Sequence, residues 1–78
     1  MLEKEAQFLL TSFSSAMPYL VYPDELRQLV NRERGASDSV ESFVANLKKK
    51  ISETTDTTRR TDGQIFLNEL RRALQSKI

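Results

Sequence analysis

The 78-residue chain carries 12 Lys and Arg against 11 Asp and Glu, two Gly, two Pro and neither Cys nor His. With 38% hydrophobic and 29% charged residues, it is excluded from collagen-like, low-complexity and fully disordered classes, and residues 1–78 are expected to fold as one small domain. The core of so short a chain stabilises it by only roughly 3–5 kcal/mol, so a partner or self-association would matter.

Leu2, Ala6, Leu9, Leu10, Phe13 and Met17 recur at spacings of three and four, which predicts an amphipathic helix over about 2–16. Phe8 falls off that stripe, among Lys4, Thr11 and Ser15, and is expected to be exposed. The stretch "MPYLVYP" follows. Met17 and Tyr22 each precede a proline, which disfavours helix at both, so an extended Pro-bounded connector is expected, with its side chains closing one end of the core.

Pro23 suits the first turn of a second helix over about 24–33, Asp24 and Glu25 favour its positive end, and Leu26, Leu29 and Val30 give it a narrow apolar face. Gly35 is expected to supply the left-handed residue that ends it. Asp38 with Glu41 has capping-box spacing and opens a third helix over about 38–52, with Val40, Phe43, Val44, Leu47 and Ile51 on one stripe. The polar run "SETTDTTRR" predicts a mobile loop over 53–60. Thr61 with Gln64 then caps a fourth helix over about 62–77, whose face is Phe66, Leu67, Leu70, Ala73, Leu74 and Ile78, with Ile65 outside it. The sum is an all-α, compact bundle of four short helices.

The chemistry available is narrow. Without His or Cys there is no imidazole base, no thiolate nucleophile and no usual zinc site, so no catalytic residue, cofactor or metal is expected. The pairs Glu3/Glu5 and Asp24/Glu25 are adjacent or alternate on a helix and diverge, and "DTTRRTD" lacks the spacing and central glycine of a calcium loop. Asp38-Ser39-Val40 resembles the triplet at which acyl carrier proteins bear phosphopantetheine, but the glycine stands one residue further away and "LKKK" follows where that family has an acidic helix. Asp38 is therefore read as a cap. A helix-turn-helix over 24–51 would place Asn31, Arg34 and Glu41 where the motif needs small or buried apolar residues. The longest apolar run is far too short to span a bilayer, and "MLEKEAQ" lacks a signal-peptide pattern, so a cytoplasmic protein is expected.

Two surfaces remain. Phe8, Tyr19, Tyr22 and Ile65 have no complete structural role and are the candidate partner-binding residues, the partner being another protein or a second copy of the chain. On this reading the chain is a non-enzymatic regulator, inhibitor or immunity-type module. The alternative is nucleic-acid binding. Charge is uneven, with four basic and six acidic residues over 1–39 but eight and five over 40–78, and Lys48, Lys49, Arg59, Arg60, Arg71 and Arg72 are the candidates for it. These cations splay around their helices unless the third and fourth helices are neighbours.

Overall fold

The computed structural model describes residues 3–76 and has four helices: α1 (Glu3–Ala16), α2 (Pro23–Ala36), α3 (Val40–Glu53) and α4 (Thr57–Ser76). A 3-10 turn over Met17–Tyr19 begins the link from α1 to α2, and no strand occurs among the described residues. The all-α bundle expected from the apolar spacing is thus present. Its radius of gyration, 11.5 Å, equals the value of about 11.5 Å expected for a compact domain of this length. Leu2 and Ile78, placed on apolar stripes above, lie outside the described residues, as do the outermost ends of the first and last predicted helices.

Phe66 on α4 is the centre of the core. It is fully buried and meets Phe13 of α1 and Phe43 of α3 edge-to-face, each with ring centroids 6.1 Å apart, an arrangement that directs the positive edge of one ring to the negative face of another. Leu9, Ala16, Leu26, Val30, Leu47, Ile51 and Leu70 close around these three rings. α4 packs against all three other helices, most extensively against α1.

The face α1 buries differs from the one its large apolar residues indicate. Leu10, expected in the core, is 49% exposed, whereas Phe8, expected outside, is half-buried. The reason is Ser12 and Ala16, both buried: these small residues let α1 approach its neighbours closely, and they turn the buried face toward Phe8 and away from Leu10. Ile65, also expected outside, is half-buried against the core.

Helix ends are set by local hydrogen bonding and move several boundaries. Pro23 does occupy the first turn of α2, but the helix runs through Gly35 to Ala36, and no glycine has positive φ. Buried Ser37 ends it instead: its N–H donates to the Arg34 carbonyl at 3.4 Å and its Oγ to the Glu33 carbonyl at 2.6 Å, while Asn46 Nδ2 from α3 donates to that Oγ. Ser39, not Asp38, caps α3, accepting from the Ser42 N–H at 3.2 Å. Glu5 of α1 accepts from the Val40 N–H, so one helix helps to satisfy the orphan donors of another.

The largest correction concerns the expected mobile loop over 53–60. Only residues 54–56 separate α3 from α4, because Asp56 Oδ1 accepts from the Thr58 N–H at 2.8 Å and its carbonyl from the Arg60 N–H at 3.0 Å. Thr61 accordingly lies inside the helix, its hydroxyl donating to the Thr57 carbonyl.

The two glycines occupy opposite environments. A Cβ at Gly63 would stand 2.6 Å from two side-chain carbons of Ile51, so α3 and α4 touch here because Gly63 has no side chain, whereas a Cβ at Gly35 would meet nothing within 4 Å. Gly63→Ala is therefore expected to destabilise the fold by about 1–2 kcal/mol despite its better helix propensity. Gly35→Ala should stabilise it by about 0.5 kcal/mol. Urea denaturation of both variants checks the pair of signs.

Candidate functional site

Residues 17–22 carry the surface that needs explaining. After the 3-10 turn, closed by the Leu20 N–H to Met17 carbonyl bond at 3.1 Å, Leu20 is extended and Tyr22 immediately precedes α2. Met17 and Leu20 pack on the core, but the connector does not turn all its side chains inward: Tyr19 is 67%, Val21 62% and Tyr22 38% exposed. Met17 and Leu20, three residues apart, are the ones turned inward, and the residues on either side of Leu20 are left at the surface.

This exposed apolar ridge is held rigidly from below. Asp62, 2% exposed on α4, accepts from the Val21 N–H through Oδ1 at 3.0 Å and from the Tyr22 N–H through Oδ2 at 2.7 Å. One carboxylate thus satisfies two consecutive backbone donors with charge-assisted bonds. Tyr22 is also the residue whose carbonyl accepts the first helical bond of α2, from Leu26 at 3.2 Å, so Asp62 fixes where α2 begins as well as how the ridge is displayed.

Arg59 secures the outer edge. Its guanidinium forks onto both carboxylate oxygens of Glu25 on α2, bonds Asp56, and lies over the Tyr22 ring at 4.6 Å from the centroid. Of the four partner-binding residues expected from sequence, the structure therefore keeps Tyr19 and Tyr22 together at the surface and draws Phe8 and Ile65 partly inward. Val21 joins the ridge. Asp62 is a site residue that the sequence expectations do not include, although it stands on the apolar register of α4, one turn before Phe66 and two before Leu70.

The six basic candidates are sorted differently. Arg59 is engaged by Glu25 and Asp56, Arg72 pairs with Glu69 at 3.6 Å, and Lys49 is exposed away from the others. Lys48, Arg60 and Arg71 do come together along a furrow of about 500 Å³ between α3 and α4. No three Asp or Glu side chains among the described residues are grouped as a metal site would require, and no described helix is long and apolar enough to cross a membrane.

The Arg59 cluster makes stability pH-dependent. The Arg59 hydrogen bond lowers the Glu25 carboxyl below its ordinary value, and the backbone N–H of Arg59, followed by that of Thr58, does the same for Asp56. Lowered folded-state values mean that the stabilisation is complete above the ordinary carboxylate range and is lost as pH falls through it and below. Both groups are solvated, so the effect is modest and screened by salt. The urea midpoint is expected to be flat from about pH 7 to 5 and to drop below about pH 4, with a shallower drop in Glu25→Gln; identical pH profiles would contradict the assignment.

No curated protein and no solved structure matches the chain. One family model does, over residues 9–75, a span that takes in the ridge, the Asp62 fork, the second half of α1, all of α2 and α3 and all but the last residue of α4; the chain belongs to the MJ1579 family.

Proposed function

We propose that the chain is a non-enzymatic, cytoplasmic protein-binding module that docks another protein through the ridge Tyr19, Val21 and Tyr22, in the manner of a small regulator, inhibitor or immunity-type protein. The observation that supports this reading is an exposed aromatic and aliphatic ridge whose backbone is pinned by the buried Asp62 carboxylate. Tyrosine brings a large, stiff apolar face with a polar tip, and a backbone already ordered loses little further entropy on association. Nucleic-acid binding is the weaker reading, because three of the six cations put forward for it do not share the α3–α4 furrow.

Tyr19→Ser with Val21→Ser tests the proposal without disturbing the Tyr22–Arg59 stack. The double variant should keep the helical circular dichroism and melting temperature of the parent. It should lose a partner co-purified from the native host by at least about tenfold, or lose self-association in light scattering if the partner is a second copy. Retention of the partner by this variant overturns the proposal.

A further inference from the structure

The furrow between α3 and α4 is a second surface, distinct from the ridge. It is lined by Lys48, Ile51, Ser52, Arg60, Gln64, Leu67, Asn68 and Arg71, and it continues into a smaller hollow of about 130 Å³ that shares Lys48, Leu67 and Arg71 and adds Val44, Leu70 and Leu74. The floor is aliphatic toward the Val44 and Leu74 end, and Ser52, Gln64 and Asn68 interrupt it around Ile51 toward Arg60. Three cations stand along it, and no Asp or Glu contributes to either lining. Helical rise gives the furrow a length of about 20 Å along α4, from Arg60 to Leu74, which is some four turns of a second helix.

From this combination we infer that the furrow binds an acidic amphipathic helix of another protein. Leu, Ile or Met side chains at i, i+3 or i+4 and i+7 of such a helix would enter the seam over Val44, Leu67 and Leu74, all only half-buried in this structure. Its flanking Glu and Asp residues would meet Lys48 on one wall and Arg60 and Arg71 on the other. Arg60 is already oriented, donating to the Thr54 carbonyl at 2.8 Å. Charge complementarity selects the sign of the partner and the aliphatic floor selects its form. A nucleic-acid strand would use the cations but leave the floor unfilled, and the lining offers no aromatic ring for base stacking.

The test uses the full chain and three labelled probes: a peptide of about four helical turns with Leu on one stripe and Glu beside it, the same peptide with Lys for Glu, and a short single-stranded oligonucleotide. The Glu peptide should bind at least about tenfold more tightly than the Lys peptide and shift amide resonances over 44–52 and 60–74. Lys48→Glu and Arg71→Glu, at solvent-exposed positions, should each weaken it by about tenfold, whereas Tyr19→Ser should leave it unchanged. Equal binding of the two peptides, binding of neither, or an oligonucleotide that displaces the Glu peptide overturns the inference. Because the ridge variants are read separately, failure here leaves the ridge proposal standing, and the converse holds.

Discussion

Two adjacent backbone N–H groups, on Val21 and Tyr22, both point at one carboxylate, and the rest of the molecule is arranged around that fork. Beyond the 3-10 turn the chain is non-helical up to Pro23, so the amides of Val21 and Tyr22 have no intrahelical partner. Left unpaired in a partly buried position they would cost about 1–3 kcal/mol each, a large fraction of what a core this small supplies. Asp62 removes that penalty and is itself stabilised by the donors it accepts. The fork also requires α4 to pass directly beneath the connector. This passage places Phe66, one turn further on, where Phe13 and Phe43 can close on it from two sides.

The elements whose information is local were legible in the sequence. α3 follows its apolar stripe, with Phe43, Leu47 and Ile51 buried as expected, and Pro23 lies in the first turn of α2. Where the reading failed, a long-range or small-residue effect decided the outcome. Ser12 carries no hydrophobic weight in a periodicity count and Ala16 little, yet both lie on the side of α1 that is buried. The run "TTDTTRR" looks like loop by composition, but Asp56 caps it, and Arg59 reaches Glu25, 34 residues away, to anchor the first turn of α4. Nothing in a window around Arg59 announces that partner.

The candidate site was legible in the same uneven way. Tyr19 and Tyr22 stand out because a connector rarely carries two tyrosines, and both are exposed. Phe8 and Ile65 lie off the idealised stripes of their helices, but the real buried faces are broader, and that of α1 is rotated, so both are half-buried. The basic residues needed the tertiary fold: Lys48 and Arg71 splay on separate helices in sequence, and only the packing of α3 on α4 brings them to one furrow. Gly63 lets α4 lie close against Ile51, and Ile51 in turn lines that furrow. The ridge and the furrow draw on the same helix, α4, from which Asp62 holds the connector and Arg60 and Arg71 line the other surface.

Native-state hydrogen exchange at Val21 and Tyr22 tests the central claim most directly. If the Asp62 carboxylate holds the connector, these two amides should exchange far more slowly than those of an unstructured chain. In Asp62→Ala their protection should fall by at least about tenfold relative to core amides of α3, measured in the same sample. Free exchange of both amides in the parent protein, or unchanged relative protection in the variant, would contradict the account.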